Sequence, residues 1–123
     1  MNIFLFLGAL NGFLSVALGA FGAHVMEARI DPKYMETWQT AVQYQMFHAV
    51  GLLVIGVLNK FFPNSSLLNW SGWLMFIGII IFSGSLFILS TTGIKVFGAI
   101  TPTGGVTFLV AWVLIMIFAT KWF

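Results

Sequence analysis

Of the chain's 123 residues, 60% are hydrophobic and only 7% charged, against roughly a quarter charged in soluble domains, so lipid must replace water around most of its surface. Five scattered basic residues (Arg29, Lys33, Lys60, Lys95 and Lys121) produce the net charge of +2 and form no patch able to displace counterions from a phosphate backbone, which excludes a nucleic-acid partner. With no cysteine, disulfides, thiolate nucleophiles and cysteine-ligated metals are excluded as well.

At about 20 apolar residues per crossing, this length admits four or five spans in one membrane domain. The first span runs over roughly 3–24. Its leading residues, Met1-Asn2, lack the basic side chain of a secretory signal, so it reads as a retained span. Gly8, Gly12, Ser15, Gly19 and Gly22 recur at steps of four, three, four and three, which places them on one helical stripe where another helix can approach the backbone closely. Asn11 lies at mid-depth, and its amide requires a partner inside the bundle. The span ends in Gly19-Ala20-Phe21-Gly22-Ala23-His24.

Glu27, Arg29, Asp31 and Lys33 make the next connection wet. Asp31-Pro32 is a helix start, an N-cap followed by a residue whose missing N–H costs nothing there. A helix from Pro32 to Phe62 would be about 45 Å long, more than the hydrocarbon core needs. Its first turns therefore project into the headgroups, and the crossing itself occupies roughly 40–62. This segment carries Tyr44-Gln45-Met46-Phe47-His48. After the polar turn Phe62-Pro63-Asn64-Ser65-Ser66, flanked by the interface anchors Lys60 and Trp70, span three covers about 70–90 and includes Ser83-Gly84-Ser85. Thr101-Pro102 repeats the cap-then-proline signal and predicts that helix four begins there, spanning 102–120. Gly104-Gly105 in its first turn point to close backbone contact or a bend, since glycine costs about 1 kcal/mol against alanine in a helix. Lys121-Trp122-Phe123 then sit at the interface.

The expected fold is thus all-α, a bundle of four transmembrane helices in a single domain over 1–123. Four spans put both termini on one side. His24, the start of helix two, the end of helix three and Thr101 fall on the other, so His24, Tyr44, Gln45, His48 and Thr101 are expected to form a polar cluster. The two histidines are expected at similar depth. Gly8, Gly12, Ser15, Gly19, Gly22, Gly104 and Gly105 are the expected helix-packing positions. Three basic residues on the cluster side against two on the other leave orientation undecided by the positive-inside rule.

Four motifs in order, Gly19-Ala20-Phe21-Gly22-Ala23-His24, Tyr44-Gln45-x-x-His48, Ser83-Gly84-Ser85-Leu86-Phe87 and Thr101-Pro102-x-Gly104-Gly105, resemble the bacterial family called domain of unknown function 423. That family is similar in turn to the eukaryotic transmembrane protein 256 group. The resemblance covers essentially the whole chain and implies a four-helix, multi-pass protein of the bacterial inner membrane, with no activity attached. Phe87 stands where many relatives have tyrosine, which removes one hydroxyl from the cluster side.

No enzyme motif is visible. All three acids lie between Glu27 and Glu36, neither G-x-S-x-G nor H-E-x-x-H occurs, and two histidines 24 residues apart do not have metal-ligand spacing. The sequence points to no cofactor and no metal. The reading is a non-enzymatic bundle with a structural, lipid-binding or partner-binding role, whose partners are membrane lipid and a second copy or another membrane protein. The alternative is a small transporter or channel using His24 and His48 in a proton- or solute-linked site, because an ionisable group at membrane depth is a functional candidate. The topology is open to a direct check: reporters fused after Asn64 and at the C-terminus should report the same side of the membrane, and opposite sides would rule out four spans.

Overall fold

The computed structural model describes residues 1–122, with the backbone alone at Ala23. Phe123, expected at the interface, lies outside the described residues. Four helices are long and apolar enough to cross a membrane: α1 (Ile3–Met26), α2 (Pro32–Phe61), α3 (Ser66–Thr92) and α4 (Val96–Trp122). They run up, down, up and down, joined by connections of three to five residues. Side-chain caps open the first three. Asn2 accepts from Leu5 N–H at 3.2 Å, Asp31 from Lys33 N–H at 3.1 Å and Ser65 from Leu68 N–H at 3.3 Å, each satisfying a donor the first turn leaves unpaired. Gly93 closes α3 with a left-handed φ of 71°, a conformation that a Cβ would penalise.

α2 is the central helix. Half of its apolar window is buried, against 22–33% in the other three. Its register with α1 is set by glycines. A Cβ on Gly8 would lie 2.9 Å from the Ala49 carbonyl, one on Gly19 3.0 Å from Val42, and one on Gly22 2.9 Å from Trp38. The stripe does not pack along its full length, however. A Cβ on Gly12 would meet nothing within 4 Å; the neighbouring Asn11 makes the polar contact to α2, through Gln45, while Gly12 turns aside.

Two helices depart from regular α geometry. α1 widens into a π-helical turn at Ala17–Gly22, within which the Leu18 carbonyl accepts the Trp38 indole N–H at 3.1 Å. α3 does the same at Ile79–Ser83, and there α4 comes closest: a Cβ on Gly104 would sit 2.5 Å from the Phe82 nitrogen. One turn along the same contact, the Phe108 ring fills the space above Gly78.

Helix four does not begin at Thr101-Pro102. It begins at Val96 and carries Pro102 inside it. The three-residue connection Gly93-Ile94-Lys95 forces an immediate restart, and the Phe97 and Gly98 N–H groups already accept turn geometry by donating to Ile94 and Lys95. Pro102 removes the bond that a helical residue would donate to the Gly98 carbonyl. Beside it, the Thr101 hydroxyl lies 3.0 Å from the Phe97 carbonyl and 2.6 Å from the Ser85 hydroxyl.

The core lies along α2 in two clusters. Phe4, Leu52, Ile55, Met75 and Phe108 pack in its inner half; Ile30, Trp38 and Val42 form a second cluster beneath the α1–α2 connection. Large apolar side chains such as Phe13, Phe47 and Leu109 point outward, the arrangement expected where lipid is the solvent. Replacing Gly8 with leucine should lower stability in detergent by about 1–3 kcal/mol through overpacking, whereas Gly12→Leu should leave the melting temperature nearly unchanged. Equal sensitivity at both positions would contradict this register.

Candidate functional site

The expected polar cluster is divided by the structure among three interfaces. Gln45, 5% exposed, faces α1: its Nε2 donates to Asn11 Oδ1 at 3.1 Å, while Asn11 Nδ2 donates to the Leu7 carbonyl at 2.9 Å. Asn11 thus finds the partner its depth requires, although Gln45 Oε1 remains buried and unpaired. Thr101 pairs with Ser85 between α3 and α4. Phe87, lacking a hydroxyl, packs edge-on against Trp38 with ring centres 4.8 Å apart.

His24 joins none of these. It is exposed, and the α1–α2 register, with Gly22 against Trp38, sets it beside the opening turns of α2. His48 lies some twelve residues further down that helix, or about 18 Å at 1.5 Å each. The expectation of equal depth fails because the two helices pack antiparallel from their shared connection, so depth in one is matched from the opposite end of the other. Among the described residues, no three His, Asp or Glu side chains gather as a metal-binding group.

His48 is the polar centre of the α2–α4 interface. Its Nδ1 lies 2.7 Å from the Tyr44 carbonyl, which can only accept, so Nδ1 carries the proton. Its Nε2 lies 3.1 Å from the Trp112 indole nitrogen, which can only donate, so Nε2 is the acceptor. The network therefore fixes the neutral Nδ1–H tautomer with both ring nitrogens engaged. The imidazole also stacks on Phe108, centroids 3.5 Å apart and planes 10° apart.

Beside this ring, α2 and α4 leave a groove of about 740 Å³, within the range of small-molecule sites. Its floor is His48, Phe82, Gly105, Phe108 and Trp112. Tyr44 and Phe47 form one wall and Val106 and Leu109 the other, with Gln43 and Pro102 at one end. Phe47, Val106 and Leu109 are largely exposed, so the groove opens sideways, toward hydrocarbon. It contains no Lys, Arg, Asp or Glu. The two adjacent glycines have different tasks. Gly104 allows backbone contact with Phe82, while a Cβ on Gly105 would meet only the edge of the Phe82 ring at 3.9 Å, so Gly105 keeps the groove floor low.

Tyr44 and His48 were visible in the sequence; Trp112, Phe82 and Phe108 were not singled out. Trp112 carried a usable signal. Membrane tryptophans concentrate at the interfaces, and this one sits in the middle of the last apolar run, where its N–H needs an acceptor. Phe82 and Phe108, two of 14 phenylalanines, carried none.

An interhelical hydrogen bond in a membrane contributes on average about 0.6 kcal/mol and at most about 1.7. Trp112→Phe should therefore destabilise modestly. His48→Leu, which leaves the indole N–H and the groove floor without their partner, should cost about 1–3 kcal/mol. Thermal unfolding of both single variants and the double variant should show non-additivity, and strict additivity would mean that the bond does not form.

The family model described as "Protein of unknown function (DUF423)" matches residues 18–105. The chain is 50% identical over 122 residues to the UPF0382 membrane protein YwdK of Bacillus subtilis (strain 168), covering 99% of each. It is 48% identical over 121 residues to the UPF0382 membrane protein SERP0230 of Staphylococcus epidermidis, and 49% identical over 121 residues to SAB0533 of Staphylococcus aureus, with 98% of both chains covered in each case. No solved structure matches it. With the motifs, the four apolar helices and these full-length relatives in agreement, the chain is an integral membrane protein belonging to the DUF423 family.

Proposed function

We propose that this protein is a non-enzymatic lipid-binding bundle of the bacterial cytoplasmic membrane, which takes a membrane-dissolved amphiphile into the α2–α4 groove. The observation that carries the reading is a cavity of about 740 Å³ that opens between lipid-facing side chains and is lined by aromatic rings. A solute arriving from water would have to cross hydrocarbon to reach it. A lipid is already there. The all-α fold and the bacterial relatives support placing it in the cytoplasmic membrane, because outer-membrane proteins of the barrel type are built from strands.

Two features favour binding over chemistry or proton transport. His48 has both ring nitrogens committed to Tyr44 and Trp112, so it holds the interface together instead of presenting a free base. His24 lies far from it in depth, which separates the two groups that a relay would need adjacent.

Gly105→Leu provides the test, because its side chain would fill the groove without striking the backbone. Protein extracted gently and analysed by native mass spectrometry should carry a lipid adduct that the variant loses, with an unchanged or higher melting temperature. The same adduct on both proteins would sink the reading.

A further inference from the structure

We infer that the occupant of the groove is a zwitterionic glycerophospholipid with a primary ammonium in its head, its acyl chain lying in the α2–α4 groove and its head against Lys33 and Glu36. The inference rests on the lipid-binding reading and adds the class of lipid.

A second, smaller pocket of about 240 Å³ lies against the opening turns of α2, lined by Lys33, Glu36, Thr37 and Thr40 with Leu86 of α3 opposite. The groove takes up the same two helices further down, with Gln43, Tyr44, Phe47 and His48 on α2 and Phe82 on α3. At 3.6 residues per turn these α2 positions all fall within an arc of about 140°. Leu86 and Phe82 are one turn apart on the facing helix. One stripe of α2 therefore carries a polar pocket at its start and an apolar groove beyond it, the order in which a lipid presents head and tail.

Depth agrees with this order. Counting about 20 residues of hydrocarbon span back from the anchor Lys60 places the membrane boundary near Thr40, so Lys33 and Glu36 stand at headgroup level. From Thr40 to His48 the groove side of α2 descends about 12 Å, most of the roughly 15 Å that one leaflet contributes to the hydrocarbon core.

The charged groups select the head. No Lys, Arg, Asp or Glu lines the groove, whereas the pocket holds one side chain of each sign. The Lys33 ammonium lies over the Tyr34 ring at 5.2 Å. Lys33 and Glu36 are both exposed, and among the described residues neither takes part in an ion pair. As neighbours three residues apart on a helix, they offer a cation to the lipid phosphate and a carboxylate to its ammonium. A head of net negative charge would leave Glu36 beside an anion, which selects against it. A quaternary ammonium has the right charge but no N–H. The Glu36 carboxylate and the Thr37 and Thr40 hydroxyls, which have no hydrogen bond among the described residues, are acceptors for the three donors of a primary ammonium.

The test incubates the full chain, delipidated in detergent, with equal amounts of phosphatidylethanolamine, phosphatidylcholine and phosphatidylglycerol of one acyl composition, and reads the adducts by native mass spectrometry. Wild type should carry phosphatidylethanolamine about fivefold over either competitor, and Gly105→Leu should lose the adducts of all three. Glu36→Gln should remove the preference over phosphatidylglycerol, and Lys33→Gln should weaken all three lipids, both with melting temperatures unchanged because both positions are exposed. Gly105-dependent adducts with no preference, or with a preference for phosphatidylcholine or phosphatidylglycerol, would overturn the assigned head and leave lipid binding standing. No adduct, or adducts that Gly105→Leu leaves unchanged, would overturn both readings. A phosphatidylethanolamine preference intact in Glu36→Gln and Lys33→Gln would overturn recognition by this pair.

Discussion

The contact between Gly104 and the backbone of Phe82 is the constraint on which the rest of the helical packing depends. No residue with a Cβ fits there, since that atom would stand 2.5 Å from a backbone nitrogen. The approach happens where α3 widens into its π-helical turn, a local geometry that recurs at functional sites because it re-aims the surrounding side chains. Once the helices meet at this point, Phe108 must lie over Gly78, one turn further along α4. That places the Phe108 ring under His48, and Trp112, one more turn on, within reach of the imidazole. The groove is the space left over on the lipid side of this line of contacts.

Polar pairing between helices is sparse but well distributed. Asn11–Gln45 joins α1 to α2, and the Ser83 hydroxyl donates to the Ala41 carbonyl between α3 and α2 at 2.8 Å. Ser71 donates to the Ala111 carbonyl between α3 and α4 at 2.9 Å. His48–Trp112 ties α2 to α4. Each contributes a fraction of a kcal/mol to about 2 kcal/mol, too little individually to hold a bundle whose helices gain no hydrophobic stabilisation from leaving lipid. Their effect is on register: a hydroxyl or indole N–H displaced by one turn would face hydrocarbon with no acceptor, so slipped arrangements are penalised. Close packing at the glycines supplies the attraction, through many small dispersion contacts.

A neutral, doubly bonded imidazole deep in a bilayer differs from the usual picture of an intramembrane histidine as a proton carrier. To accept a proton, Nε2 would have to release the Trp112 indole, which has no other acceptor among the described residues. The two hydrogen bonds and the stacking on Phe108 make His48 part of the groove floor.

The amino-acid sequence by itself determined the membrane environment, the number of spans, their antiparallel order and the helix start at Asp31. All follow from local rules: apolar length, polar connections and caps that act within a few residues. It also marked Gly8, Gly19, Gly22 and Gly104 as contact positions, because small residues in a membrane helix have little other use. The depth match between helices was beyond it. His24 and His48 appear comparable when each is counted from its own helix end, and only the register set by Gly8 and Gly22 against α2 separates them. Pro102 has a strong local meaning as a helix start, which the short connection after Gly93 overrides. Gly12 and Gly105 look like their neighbours in sequence, yet one faces open space and the other lines the α2–α4 groove, since the direction of a Cβ relative to another helix is a property of packing alone. For the same reason, Phe82 and Phe108 acquire their roles only when α3 and α4 are brought into contact.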